Sequence, residues 1–211
     1  MPTSRLIVFV RAPQLGAVKT RLAVALGPDG ALAAYRRLLD TLSHSLKHLP
    51  GVELRHTPDS AGDLLQPWLQ PGWTLAGQGS GPLGERLSRA AEQAFQDGVE
   101  QLFIIGSDSP EITKKDIESA WNALRTTDVV LGPAEDGGYW GIGLRGPFCE
   151  VFQSIDWSTP AVLQQTLARA RQANRSITLL RTLSDVDTEA DWQAWLRRVD
   201  SRWTPSRKST S

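Results

Sequence analysis

The chain has 211 residues, room for one large domain rather than two. Hydrophobic residues make up 40% and charged residues 22%, the balance of a globular protein that can bury a core without covalent staples. Lys plus Arg and Asp plus Glu are 23 each, so there is no net charge; that excludes the basic excess of a nucleic-acid binder and leaves ligand choice to local clusters.

The single cysteine, Cys149, excludes an internal disulfide framework and a cysteine-built zinc site. The longest purely apolar run, residues 6–10, is too short for a membrane span or a signal-peptide core. A cytoplasmic enzyme without a membrane span is the expected class. The eight tryptophans are many for this length and point to packing and to stacking on a ligand.

Residues 6–10, Leu-Ile-Val-Phe-Val, read as a strand buried on both faces, followed by a polar loop over 11–21. Leu32, Tyr35, Leu38, Leu39, Leu42, Leu46 and Leu49 fall at helical spacing, and Pro50-Gly51 ends that helix. A short strand is expected over 52–56, a loop with a helical turn near 64–69 over 58–72, and another strand over 73–76. The glycine-dense stretch 77–82 opens a second helix bearing Leu83, Leu87, Ala90, Ala94 and Phe95, which Gly98 stops. Residues 102–105 and 129–131 form two further buried strands, with a capping-box helix from Thr113 and Asp116 between them. Residues 139–144 make another strand. Ser158-Thr-Pro160 reads as a helix start, 177–180 as a late strand, and Thr188 with Asp191 as a second capping box before a Trp-striped last helix.

Alternating strands and helices, with strands apolar on both faces, predict an α/β three-layer sandwich with a mostly parallel central sheet. The expected organisation is one transferase domain over residues 1–200 and a disordered polar tail over 201–211.

Ligands of an open parallel sheet bind at the carboxyl ends of its strands, and each polar cluster here follows a predicted strand. Arg11, Lys19 and Arg21 surround Gly16 after the first strand, the makings of an anion site. A Walker A loop is excluded, because Val18 and Pro13 stand where that motif needs glycine. Asp108, in Gly106-Ser-Asp-Ser-Pro110, is a carboxylate at the tip of a buried strand, suited to a divalent metal or to capping the next turn. Asp136, Gly137, Gly138 and Tyr139 combine an acid, close backbone approach and a stacking ring, and equally describe a tight turn between two strands. Asp185 and Asp187 precede a helix, where the helix dipole alone favours acids. Asp156-Trp-Ser-Thr159 is a fifth polar turn. His44 and His48 lack a third ligand and read as solvated, Cys149 reads as packing, and no Gly-x-Ser-x-Gly elbow occurs.

Several stretches taken together resemble the bacterial DUF2064 family, also known as rSAM/selenodomain-associated transferase 1. They are Arg11-Ala-Pro-Gln-Leu-Gly-Ala-Val-Lys-Thr-Arg-Leu22, Gly81-Pro-Leu-Gly-Glu-Arg86, Ile105-Gly-Ser-Asp-Ser-Pro110, Leu131-Gly-Pro-Ala-Glu-Asp-Gly-Gly-Tyr139, Asp156-Trp-Ser-Thr159 and Asp185-Val-Asp-Thr188. That family is similar to the nucleotide-diphospho-sugar transferases of the GT-A fold.

The resemblance implies that Lys19 and Arg21 wrap nucleotide phosphates, to which the anion-site reading adds Arg11 and Gly16, and that Gly79, Gly84 and Arg86 lie where relatives recognise the base. It implies that Asp108 and Asp187 hold Mg²⁺ or Mn²⁺. Catalysis falls to Lys19 and to Asp136 as candidate base, with Gly137, Gly138 and Tyr139 against the substrate. The Asp-x-Asp signature of glycosyltransferases is absent, as is the glycine-paired Arg-Met loop of nucleotidyltransferases. The leading expectation is glycosyl transfer from a nucleotide-sugar to an unknown acceptor. The alternatives are nucleotidyl transfer from a nucleoside triphosphate, a nucleotide-binding protein without catalysis and, lowest, a hydrolase with Asp108 as nucleophile.

Overall fold

The computed structural model describes residues 3–202. In chain order they form β1 (Ser4–Arg11), α1 (Thr20–Ser45), β2 (Val52–Thr57), β3 (Thr74–Gly77), α2 (Leu83–Gln96), β4 (Gln101–Gly106), α3 (Lys114–Ala123), β5 (Val129–Pro133), β6 (Tyr139–Leu144), α4 (Val162–Gln172), β7 (Ile177–Leu179) and α5 (Glu189–Arg202). Short 3₁₀ segments, Asp59–Trp68 and Cys149–Phe152, lie between β2 and β3 and before α4.

The seven strands make one sheet in the order β3-β2-β1-β4-β6-β5-β7. Only β6 runs against its neighbours, β4 and β5; every other pairing is parallel. The expected mostly parallel α/β sandwich is therefore the observed fold. Among the described residues no helix is long and apolar enough to cross a membrane.

The strands read as apolar runs because both faces are covered. Leu6, Val8 and Val10 of β1 point into a cluster with Tyr35, Leu39 and Leu42 of α1, while Ile7 points into a cluster with Leu87, Ala90 and Ala94 of α2. A third cluster joins Leu22 and Leu38 of α1 to Val186, Trp192 and Trp195. That packing turns the tryptophan stripe of α5 inward, and the Arg37 guanidinium lies over both rings.

The chain moves outward from β1 through β2 to β3 and then returns to place β4 on the other side of β1. The crevice between the carboxyl ends of β1 and β4 is thus a topological switch point.

Three boundaries differ from the sequence reading. α1 starts at Thr20 rather than near Leu32, because Leu22 is fully buried and Gly27, at φ 70°, with Pro28 kinks the helix instead of ending it. Residues 158–160 do not begin a helix: Ser158 has φ 64°, and α4 starts at Val162. The last helix runs to Arg202, two residues into the expected tail, and residues 203–211 lie outside the described ones. Both capping boxes are formed. Thr113 and Asp116 exchange bonds at the start of α3, and Thr188 and Asp191 do so before α5.

β5 and β6 meet through a glycine. Gly132 is paired with Gly141, and a Cβ on Gly132 would lie 2.2 Å from the Trp140 ring. That ring is buried and its Nε1 donates to the Arg181 carbonyl at 3.0 Å, so it has no free direction in which to yield. Gly132→Ala is expected to cost about 1–3 kcal/mol by overpacking. Urea unfolding should show it as a lower midpoint with an unchanged slope.

Candidate active site

The carboxyl ends of β1 and β4 and the segment before α5 converge on one ammonium group. Lys19 is the N-cap of α1 and takes left-handed dihedrals, φ 47° and ψ 47°. Its side chain is 3% exposed, whereas those of Asp108 and Asp187 are 47% and 44% exposed. Nζ donates to Asp187 Oδ1 at 2.8 Å and to Asp108 Oδ1. Burial alone pushes the Lys19 pKa down, but the two carboxylates outweigh it and hold the pKa above its usual value. The residue expected to face phosphate therefore has its charge shared between two acids, because a buried ammonium needs close partners.

Backbone hydrogen bonds bring these acids together. After β7 the chain runs beside the end of β5, with Leu183 N donating to Pro133 O at 3.0 Å and Glu135 N to Leu183 O at 3.1 Å. Val186 N then donates to Asp108 O at 3.0 Å, pinning residues 185–187 against the tip of β4. Asp185 accepts the Ser109 hydroxyl. Burial pushes the Asp185 carboxyl up to about 6; the Ser109 bond opposes that rise, and the charges of Asp108, Asp136 and Asp187 add to it.

Two cavities meet here. The first, about 590 Å³, is lined by Arg11, Lys19, Arg21, Arg86, Asp108 and Asp187, with Tyr35, Gln78 and Ser107 among its other residues. The second, about 530 Å³, shares Arg21, Asp108 and Asp187 with it and adds Asp136, Asp185, Gly138, Tyr139 and Trp157. The first cavity is cationic on one wall. Arg11 Nη1 donates to Ala17 O at 3.2 Å, and Arg86 Nε donates to Gly81 O at 2.7 Å. Arg89 donates to the carbonyls of Gln78 and Ser80 at 2.8 and 3.1 Å, and Gly79 N donates to Asp59 at 3.1 Å, which fixes the loop bearing Gln78.

The expected site residues divide by position. Arg11, Lys19, Arg21, Arg86, Asp108 and Asp187 gather on the first cavity, and Asp136, Gly138 and Tyr139 on the second. Gly16, Gly79, Gly84 and Gly137 line neither cavity. Gly84 lies under Trp157, and Gly137, at φ 89°, lies against the Pro160 backbone; a Cβ would meet them at 2.7 and 2.3 Å. These two glycines let the walls approach each other.

Asp185, Ser107 and Trp157 lie in polar clusters that the sequence pointed to without giving them a site role, and Tyr35 lies outside those clusters. Tyr35 sits on the apolar stripe of α1 and reads as core. Its hydroxyl accepts from Arg11 N at 3.1 Å, donates to Arg11 O at 2.9 Å and lies 3.2 Å from Ser107 Oγ. For Asp185 the signal was two acids one residue apart before a helix. His44 and His48 are exposed and Cys149 packs near the Ser88 carbonyl, as expected. Among the described residues no group of three or more His, Cys, Asp or Glu forms a metal cage.

The sequence profile of the family described as "Uncharacterized protein conserved in bacteria (DUF2064)" matches residues 39–159. The chain is 28% identical over 193 residues to the phosphoenolpyruvate guanylyltransferase of Sphaerobacter thermophilus, covering 88% of this chain and 89% of the relative. The crystal structure of a candidate nucleotide-diphospho-sugar transferase from Desulfovibrio desulfuricans G20 superposes with a TM-score of 0.87 at 33% identity, over 99% of this chain and 92% of that one. CMP:2-keto-3-deoxy-manno-octonic acid synthetase, solved with CTP, shares the fold at a TM-score of 0.60 and 11% identity, over 95% of this chain and all of that one.

The environment of Asp185 predicts a pH dependence. Its carboxyl ionises near 6 in the fold against 3.8 ordinarily, so the fold alone penalises its charge. The penalty is absent below about pH 4 and complete above about pH 6, so this group makes stability fall as pH rises through that window. Asp185→Asn is expected to stabilise the ligand-free protein by about 2–3 kcal/mol near neutral pH, with the gain vanishing toward about pH 4. Urea unfolding across that range measures it.

Proposed function

We propose, for this chain, which belongs to the DUF2064 family, that it is a divalent-metal-dependent transferase using an activated nucleotide as donor. The observation that carries the reading is the convergence of Lys19, Asp108 and Asp187 at the switch point, inside a cavity that also holds Arg11, Arg21 and Arg86. Cations on one wall and two carboxylates sharing one point suit a phosphate chain with its metal ion.

Asp108 and Asp187 fit a divalent ion. They already share one cation, the Lys19 ammonium, they are half exposed, and Mg²⁺ or Mn²⁺ takes one or two carboxylates and completes its shell with phosphate and water. Such an ion supplies charge neutralisation at the phosphate that leaves. Lys19, Arg11 and Arg21 add fixed positive charge where negative charge develops, in a frame that needs no reorganisation because Lys19 is already held.

Glycosyl transfer from a nucleotide-sugar is the first reading. The bond from the sugar's anomeric carbon to the diphosphate breaks, an acceptor oxygen bonds that carbon, and the acceptor's proton passes to a base. Asp136, exposed in the second cavity with Oδ1 accepting from Gly138 N at 2.9 Å, is the proposed base or the ligand of sugar hydroxyls. The Desulfovibrio neighbour supports this reading. The Sphaerobacter relative supports a second, nucleotidyl transfer, in which an acceptor oxygen attacks the α-phosphate of a nucleoside triphosphate and pyrophosphate leaves.

A thermal-shift panel of nucleotides and nucleotide-sugars with and without Mg²⁺ or Mn²⁺ tests the reading. A ligand at one hundred times its dissociation constant adds about 2.7 kcal/mol of stability. A metal-dependent shift with a diphosphate nucleotide, lost in Asp108→Ala, is the expected result, together with a fall in turnover of at least about a hundredfold in that variant. Pyrophosphate as product selects nucleotidyl transfer, and a nucleoside diphosphate selects glycosyl transfer. Metal-independent binding without turnover, or full activity in Asp108→Ala, sinks the proposal.

A further inference from the structure

We infer that Ser158 is a phosphate-binding residue: its hydroxyl donates to the phosphate at the junction of the two cavities, the one whose bond to the transferred group breaks. The inference rests on the nucleotide reading above and, within it, on a diphosphate donor.

Position is the first observation. Among the residues that border both cavities, Arg21, Asp108, Asp187 and Ser158 have polar side chains. Ser158 is the neutral one, and it is exposed. It comes from a stretch that supplies none of the other three, the turn between the 3₁₀ segment Cys149–Phe152 and α4. A donor with its first phosphate beside Arg11 and its transferred group beside Asp136 crosses this junction with its β-phosphate. A hydroxyl suits that place. It donates to an anion, whereas a further cation there would pair with Asp108 or Asp187.

The backbone is the second. Ser158 has φ 64°, in the left-handed region that a Cβ disfavours and glycine enters freely. The non-glycine residues with positive φ are Lys19, His48, Ser154, Ser158 and Asn174, and of these Lys19 and Ser158 line the cavities. Strain of this kind collects at functional sites, where the surroundings over-determine it. A turn by itself is better made with glycine. Serine differs from glycine by one hydroxymethyl group, so what the strained position retains is a hydroxyl.

The surroundings are the third, because they hold the turn without using Ser158. Asp156 N donates to Gln165 Oε1 at 2.7 Å, and Asp156 Oδ2 accepts from Gln165 Nε2 at 2.7 Å. Thr159 Oγ1 donates to Asp156 O at 2.7 Å and accepts from Ala161 N at 3.3 Å. The Trp157 ring lies over Gly84 and meets Tyr139 edge to face, with centroids 6.4 Å apart, and Pro160 lies against Gly137. The Ser158 hydroxyl has no partner among the described residues. A donor left unpaired on a turn fixed before any ligand arrives is what developing negative charge on a phosphate requires.

The test is calorimetric titration in Mg²⁺ of the 5′-mono- and 5′-diphosphates of uridine, guanosine, adenosine and cytidine, with wild type, Ser158→Ala and Ser158→Gly. Ser158→Ala removes the hydroxyl and keeps the strained backbone; Ser158→Gly removes both. With the base that binds, both variants are expected to weaken the diphosphate at least about fivefold, the loss of one hydrogen bond to a charged group. The monophosphate, which does not reach the junction, should move by less than about twofold in both, and its binding shows that each variant is folded. The inference is overturned if either variant holds the diphosphate to within less than that fivefold loss. It is also overturned if mono- and diphosphate weaken alike, the mark of a wall that has moved. If no nucleotide binds the wild type, the nucleotide reading itself fails and takes this inference with it; a diphosphate that binds wild type and both variants alike removes only this inference.

Discussion

The buried ammonium of Lys19 is the contact on which the rest of the site depends. Two ionised carboxylates repel at one point unless a cation lies between them, and an almost wholly buried lysine keeps its charge through carboxylates beside it. Each condition answers the other. Asp108 comes from just after β4, Asp187 from the approach to α5, and Lys19 from the N-cap of α1. One three-group contact thus ties together segments separated by 89 and 168 residues. The charges are fixed before any ligand arrives, which is the arrangement electrostatic catalysis requires.

The sheet topology explains why these three segments can meet. β1 sits between β2 and β4, and the chain reverses its direction of travel across the sheet at that point. The crevice this opens is floored by the loop after β1 and the loop after β4. The segment 183–187 reaches it by running along the end of β5 through backbone bonds, an arrangement that needs no particular side chains. Tyr35 supports the floor from below, tying the backbone of Arg11 to Ser107 through its hydroxyl.

Much of this was legible in the sequence because burial leaves a compositional trace. Strands β1, β4 and β5 read as apolar runs since helices cover both faces, and β6 was delimited at both ends by Gly138 and by the turn after Leu144. Polar clusters at strand ends located Lys19, Asp108, Asp136 and Asp187. What pairing creates was not legible. Nothing in the local sequence of Lys19 says that its partners lie in two distant loops. Tyr35 looks like any apolar-stripe residue, and Asp185 owes its displaced carboxyl pKa first to burial, with the nearby Asp187 and the sequence-distant Asp108 and Asp136 adding. The helical spacing was legible only from Leu32 onward, whereas in the fold α1 continues through the Gly27-Pro28 kink to Thr20, with Leu22 packed against α5.

The glycines near the second cavity have a packing role in the fold. Gly137 was expected to let backbone approach a ligand, and Gly84 to lie where relatives recognise the base. In the fold Gly84 lies beneath Trp157 and Gly137 against Pro160, so each lets one wall approach another. A side chain at either position would clash with Trp157 or with the Pro160 backbone. The two glycines thus pack behind Trp157 and Pro160, which line the second cavity. The chemistry at the junction comes from Lys19 and its two acids, and the choice of what sits beside them comes from the walls behind which the glycines pack. Separating charge from shape in this way lets one conserve the reacting centre of a fold while the adjoining chamber changes, through a few wall residues, the class of group it admits.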